Sequence, residues 1–414
     1  VTIRFDPRVT LGRAWAVVGD LTDEIIAGCP EIRRITPAGH MRRIEPIVEG
    51  IVVIALVDDV EAATSSLLGL ETIGDVARES ETTVAIDFRQ ATIVVRLATS
   101  DSYGTVLFDA TGSPAHVQAI TERRRDRAPC ADEEVLYASA GLPFIPPELR
   151  HGSEEIDAAA AGSLPVLVER SHIRGDLHMH STFSDGQDPM ATMVAKCYSL
   201  GYEYIAITDH SENAGASRTL RASQVSRQRA EIEKLRDRYP DMTIFHGVEV
   251  DILENGRLDF SDRLLERFDV VLASLHNGAG MSPAQLTRLC LDAMDHPLVN
   301  VLSHPANRVV GHRSGYELDY DAVYAAAADT GTALEIDGAP SHLDLDGDHA
   351  RAAAAAGARL VIDSDCHRAS ALERQMELGI GTARRGWVGP HHVLNTGSAE
   401  DVRDFVARKR AFSR

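Results

Sequence analysis

The chain has 414 residues, room for two or three domains at roughly 150 residues each. A hydrophobic fraction of 44% and a charged fraction of 25% are those of a soluble globular protein. The formal net charge of −20 argues against broad, nonspecific affinity for nucleic acid or membranes, although metal ions bound by clustered carboxylates leave specific nucleic-acid contacts open.

Residues 1–8 carry no signal-peptide core, and the most apolar short run, residues 51–57, is far below the ~20 residues that span a bilayer. Cys29, Cys130, Cys197, Cys290 and Cys366 are scattered, with no Cys-x-x-Cys pair, which fits a reducing cytoplasm better than a disulfide framework or a structural zinc site. Residues 11–30 read as a helix with apolar positions Leu11, Ala14, Val18, Leu21, Ile25 and Ile26. Residues 50–57 and 92–97 read as buried strands, and Thr105–Phe108 is a shorter apolar run. Residues 114–127 look helical, with a second short helix through Glu133–Ala140. The stretch Gly141–Arg150 is too rich in proline for a helix. Residues 152–162, polar and then alanine-rich, suit a linker.

From Leu164 onward, apolar β-type runs alternate with helical segments, the sign of βα units and a parallel sheet. The run 164–168 leads to His178 and His180, which share one face at strand spacing, with Asp185 five residues later before Gly186. The next runs end in Asp209-His210, Glu249, His276, His304, Asp337 and Asp365-Cys-His367. In a βα barrel the strand C-termini surround one mouth, so ligand-type residues there converge although they are far apart in sequence. Such a mixture of nitrogen and oxygen donors suits zinc, manganese or iron, and predicts a multinuclear metal site. Cys366, between two candidate ligands, faces away on a strand, and Asp209 suits an orienting role behind His210.

These stretches resemble the PHP (polymerase and histidinol phosphatase) family. The matching motifs are His178-Met-His180 with Asp185, Thr208-Asp-His210, Glu249 with Ser274-Leu-His276 and His304-Pro305, and Ser364-Asp-Cys-His367. The first half resembles the palm and thumb of bacterial family X DNA polymerases through residues 38–43, 101–104, 111–116 and 133–150. Neither the N-terminal DNA-lyase domain of that family nor most of its fingers has a counterpart here. The palm's three metal-binding aspartates fall on Gly50, Val52 and Val94, which cannot hold the metals of nucleotidyl transfer. Asp58 and Asp59 lie nearby, but using them needs a register shift that turns the strand's core face outward.

The resemblance implies an α/β chain. A distorted (β/α)7 PHP barrel, residues 164–414, follows a smaller α+β, nucleotidyltransferase-like palm/thumb remnant, residues 1–150, across a linker at 151–163. It implies three divalent metal ions (manganese, zinc or iron). His178, His180, Glu249 and Asp365 would hold one. Glu249 would bridge to a second, completed by His276 and His304. Asp185, His210 and His367 would hold the third. Arg308 and Arg313 match arginines of the polymerase-linked branch and would bind substrate phosphate, or else pair with Glu317 and Asp319. Residues 123–127 could contact DNA phosphates or form a solvated helix face. The expected function is metal-dependent phosphoester hydrolysis without polymerase activity, as a 3′–5′ exonuclease or in 3′-end processing of DNA during repair. The alternatives are a small-molecule phosphatase of the histidinol-phosphatase type and a non-catalytic DNA- or partner-binding protein. DNA ends or a phosphorylated small molecule are the expected partners, with no membrane; the oligomeric state is open.

Overall fold

The computed structural model describes residues 8–412 and divides after Leu164 into two compact units. In the first, a helix spans Leu11–Gly28. The Thr10 side chain accepts from the Arg13 N–H and caps it. Its buried stripe is Leu11, Ala14, Val17, Val18, Leu21 and Ile25. Ile26, expected on that stripe, is instead 47% exposed. It sits one helical step, about 100°, round from Ile25.

The strands of this unit are β1 (Val9–Thr10), β2 (Ile32–Pro37), β3 (Ile47–Val48), β4 (Ile51–Val57), β5 (Asp75–Arg78), β6 (Thr83–Phe88) and β7 (Ala91–Ala98). Five of them form one sheet in the order β2-β4-β7-β6-β5, in which only β4 and β7 are parallel. Strands β1 and β3 pair separately. Val52 and Val94 are register partners on β4 and β7, and Gly50 immediately precedes β4. Two of the three positions matched to the palm aspartates thus meet across one strand pair, with methyl groups where carboxylates would stand, and the third, Gly50, has no side chain. Asp58 pairs with Arg33 at 2.5 Å, and Asp59 caps the helix Val60–Gly69. Among the described residues, no cluster of metal-donor side chains forms in this unit.

The apolar run Thr105–Phe108 lies inside a helix, Tyr103–Thr111. The segment expected as a linker contains a further helix, Glu154–Ala160, with Ile156 and Ala159 buried. It is tied to the first unit through Glu155, whose Oε1 lies 2.7 Å from His116 Nδ1. The alanines that suited a linker are good helix formers, and this helix has a packed face.

The second unit has seven strands: β8 (Gly175–Asp176), β9 (Tyr204–Ile207), β10 (Thr243–Asp251), β11 (Val270–Ser274), β12 (Val301–Leu302), β13 (Ala333–Asp337) and β14 (Leu360–Asp363). Every neighbouring pair is parallel, and spatial order follows chain order. A parallel bridge between Met179 and Cys366, with the His180 N–H donating to the Cys366 carbonyl at 2.9 Å, brings the first strand back to the last. This is a (β/α)7 barrel, distorted because β8 and β12 are only two residues long.

Alternation along the strands explains where the apolar groups go. Ile205, Ile207, Val271, Ala273 and Ile362 join one large core with helix residues such as Met193, Ile232 and Leu372. The other phase, including Tyr204, Ala206, Val270, Leu272, Ala333 and Val361, forms a second core. Val402, Phe405 and Val406 of the helix Ala399–Phe412 join that second core. The same phase continues upward as Glu249 and Asp251, Ser274 and His276, Glu335 and Asp337, and Asp363 and Asp365. Apolar side chains fill the base of the barrel and ligand-type side chains its C-terminal mouth, the position of chemistry in this architecture.

Candidate metal centre

Nine predicted residues meet at that mouth around Glu249. Glu249 Oε1 lies 2.9 Å from His304 Nε2 and 3.4 Å from His276 Nε2. Its Oε2 lies 2.7 Å from His210 Nδ1, 3.3 Å from His178 Nε2 and 3.5 Å from His180 Nε2. Asp365 Oδ1 lies 2.9 Å from His180 Nε2, and Asp185 Oδ1 is 3.3 Å from His367 Nε2 and 3.6 Å from His210 Nε2.

Donor atoms group into three sets compact enough for one ion each: His180, Asp185, His210 and His367; His178, His180 and Asp365; and His210, Glu249 and His276. His180 and His210 each belong to two sets, so the partition is less separable than the family resemblance implies. His304 falls in none of the three sets and pairs with Glu249, its ring 5.2 Å from that of His276.

The donor chemistry fits metal ions. His180 and His178 bring their Nε2 atoms within 3.1 Å of each other. His210 Nδ1 and Glu249 Oε2, though 2.7 Å apart, are both buried and misaligned for a hydrogen bond. Atoms that approach without a properly directed proton are arranged as ligands of a common third atom are. Burial, then the neighbouring His367 and His210, push the His180 pKa down to about 3, which keeps its imidazole neutral. Burial works against the Glu249 carboxylate, yet His210, His178 and His276 together hold it well below the usual range.

Carboxylates and carbonyls behind the histidines fix which nitrogen faces inward. His178 Nδ1 lies 2.6 Å from Glu335 Oε1, His276 Nδ1 2.9 Å from Asp251 Oδ1, and His367 Nδ1 3.0 Å from the Asp365 carbonyl. Each contact places a proton on Nδ1 and turns Nε2 toward the carboxylates of the cluster, Glu249 for His178 and His276 and Asp185 for His367. Glu335 and Asp251 were not predicted. Their signal was present, since Glu335 lies inside the run that ends in Asp337 and Asp251 two residues past Glu249, both in the ligand phase. Asp209 accepts from the N–H and hydroxyl groups of Ser181 and Ser184 and from Gln228 Nε2. It therefore shapes the loop after His180. Cys366 is buried in the apolar core.

Two of the nine residues sit in left-handed backbone, His304 at φ 27° and Asp365 at φ 47°. Non-glycine residues there carry strain of order 1–3 kcal/mol, which concentrates at functional sites. His304 follows Ser303, one step out of strand phase, and still delivers its Nε2 to Glu249.

The two arginines expected to bind phosphate are otherwise engaged. Arg308 donates to the carbonyls of His342, at 2.7 Å, and Leu343, and to Asp346 at 3.2 Å. Arg313 uses Nε and Nη2 on the Asn307 carbonyl and side-chain oxygen. Glu317 and Asp319, the pairing partners considered from sequence, are not their partners in these bonds.

Residues 176–329 match the family model of the PHP domain. The chain is 33% identical over 421 aligned positions to a DNA polymerase/3′-5′ exonuclease PolX of Bacillus subtilis (strain 168), covering 97% of this chain and 73% of that one. A probable phosphatase of Syntrophotalea carbinolica is 34% identical over 165 positions, 39% of this chain and 64% of its own length. Among solved structures, a histidinol phosphate phosphatase of Lactococcus lactis, complexed with zinc, L-histidinol and phosphate, aligns with TM-score 0.41 at 19% identity, over 52% of this chain and 95% of that one.

Proposed function

The chain belongs to the bacterial PolX family of PHP-domain proteins, and on that premise we propose that it is a metal-dependent phosphoesterase that trims or processes DNA 3′ ends and does not polymerise. The observation that carries the reading is the convergence of His178, His180, Asp185, His210, Glu249, His276, His304, Asp365 and His367 on one mouth. In this reading they hold up to three divalent ions of the manganese, zinc or iron class. Ions held there lower the pKa of water toward neutrality and neutralise phosphate oxygens. The chain's own part is to keep the donors bare and aimed. Glu335 and Asp251 hold protons on the outward nitrogens, while Asp209 ties down the loop that carries Asp185.

DNA is favoured as substrate by the likeness over nearly the whole chain to a protein whose name includes a 3′-5′ exonuclease. Lack of polymerase chemistry is supported by Val52 and Val94 at the paired palm positions. All five cysteines are free and buried, as a reducing cytoplasm favours. Among the described residues, no helix is long and apolar enough to cross a membrane. A second reading, hydrolysis of a small phosphate ester, draws support from the phosphatase likeness, which covers only part of the chain.

Manganese-dependent hydrolysis of single-stranded DNA, a 3′-phosphorylated oligonucleotide and histidinol phosphate, compared side by side, separates the readings. The DNA substrates should be cleaved faster, and His180→Ala or Asp365→Ala should abolish cleavage and lower metal content. Metal-free protein that stays active, or a clear preference for histidinol phosphate, refutes this assignment.

A further inference from the structure

Beside the nine residues, Asp337 and His342, which the cluster does not use, meet its Asp365. Donor atoms of Asp337, His342 and Asp365 lie within 4.8 Å of one another. Asp337 is fully buried; its Oδ1 accepts from the Ala339 N–H at 2.6 Å, and its Oδ2 is buried without a partner. His342 Nδ1 lies 2.8 Å from the Arg308 carbonyl. A carbonyl only accepts, so the proton is on Nδ1 and Nε2 carries a lone pair. Arg308 returns the contact, donating through Nε to the His342 carbonyl and through Nη2 to the Leu343 carbonyl. Leu343 is itself in left-handed backbone, at φ 49°. Arg308 is thus a positioning residue, and the imidazole it clamps is ring-stacked on His304 at 5.8 Å between centroids.

We propose that Asp337, His342 and Asp365 form a fourth divalent-cation position, sharing the Asp365 carboxylate with the nine-residue cluster. The proposal rests on reading that cluster as a metal centre, because Asp365 serves both. Two buried carboxylates this close repel unless a cation or a proton lies between them. The imidazole contributes a lone pair and no proton, so all three groups are acceptors around one point. One nitrogen and two carboxylates make a donor set richer in oxygen than the histidine cluster, which favours manganese or magnesium over zinc. The remaining coordination positions are open to water or a phosphate oxygen.

The test uses the full chain, stripped with a chelator and dialysed against manganese, with bound metal counted by elemental analysis. Wild type should hold one ion per chain more than Asp337→Asn or His342→Gln. Manganese anomalous density in wild-type crystals should lie between the three side chains, an observation that needs no variant to fold. Equal counts, with no density at that point, overturn the fourth position and leave a proton shared by Asp337 and Asp365. Wild type that binds no manganese at all overturns the nine-residue reading together with it.

Discussion

Glu335 accepts from His178 Nδ1 at 2.6 Å, from the Ser303 hydroxyl at 2.5 Å and from the His304 backbone N–H at 2.9 Å, so one buried carboxylate orients two site histidines. Replacing it with glutamine keeps the volume but puts donors where acceptors are needed. Glu335→Gln should weaken manganese binding by about 10- to 100-fold, the usual cost of losing a partner behind a metal-ligating histidine. Equilibrium dialysis measures this, and unchanged affinity would show that the ring is held by other groups. In the first unit, His116 is fully buried between Glu155 Oε1 and the Tyr137 hydroxyl, each 2.7 Å from a ring nitrogen. Burial outweighs Glu155 and lowers the His116 pKa below its ordinary value. Burial also opposes the Glu155 carboxylate, but the His116 bond and the N–H groups of Ser153 and Gly152 lower its pKa on balance. For both groups the unfolded chain takes up protons first on acidification. The stability they contribute is present above the unfolded pKa, about 6.5 for the histidine and 4.3 for the glutamate, and is lost as pH falls through each window. Urea unfolding followed by Trp15 fluorescence, in a Trp387→Phe background, should show a lower midpoint at pH 5.5 than at pH 7.5. His116→Ala should cost about 2 kcal/mol or more by leaving the buried Tyr137 hydroxyl without its partner while Glu155 keeps the N–H groups of Gly152 and Ser153, and should flatten that pH dependence.

At the scale of strands and helices, the barrel was legible because its strands obey one rule twice. Apart from the first, β8, which is Gly175–Asp176 and not the expected run 164–168, each is an apolar run, and each leads to a polar group of metal-binding type. Eight of the nine residues lie at or just past those ends, with Asp185 in the loop after His180, and the choice of these nine over Asp209 and Asp337 rests on the resemblance to the PHP family. What could not be read was the division of donors among ions, because His180 and His210 each touch two sets. Nor could the fate of Arg308 and Arg313 be read, since their partners are loop carbonyls that no residue identity announces. In the first unit, the helix Glu154–Ala160 was hidden by an alanine-rich composition shared by linkers and helices, and only burial of Ile156 and Ala159 separates the two. The paired strands β4 and β7 carry the remaining element-level prediction. With Val52 opposite Val94 and Gly50 just before, no carboxylate is available to hold a catalytic metal where the palm needs one. The protein should therefore not extend a primer or fill a gap with magnesium or manganese. Extension that copurifies with the protein and survives His180→Ala would mean that acids elsewhere in this unit serve the role.

For the molecule as a whole, the question is why a unit without polymerase carboxylates accompanies the barrel. On the proposed reading, a unit that does not polymerise would remain useful if it held DNA while the barrel hydrolysed an end. The net charge of −20 weighs against this, because nucleic-acid affinity rests on neutralising phosphates. Any contact must therefore be local, and the densest basic run of this unit, residues 123–127, is the place to look. The structure narrows the choice within it. Arg124 is spent on the Ser139 hydroxyl at 2.9 Å and the Ala128 carbonyl at 2.7 Å, where it ties down the loop after the helix Pro114–Arg123. Arg123, Arg125 and Arg127 are exposed. Changing those three to alanine, with Arg124 kept, removes charge without cutting the loop's own bonds. If they touch phosphates, DNA binding should weaken. The slope of log affinity against log salt should also flatten by about one unit per lost contact. Hydrolysis of a small chromogenic phosphoester should be unchanged, since it needs only the barrel. Equal DNA affinity and an equal salt slope in wild type and variant would remove these arginines from DNA binding, leaving the barrel to find its substrate without them.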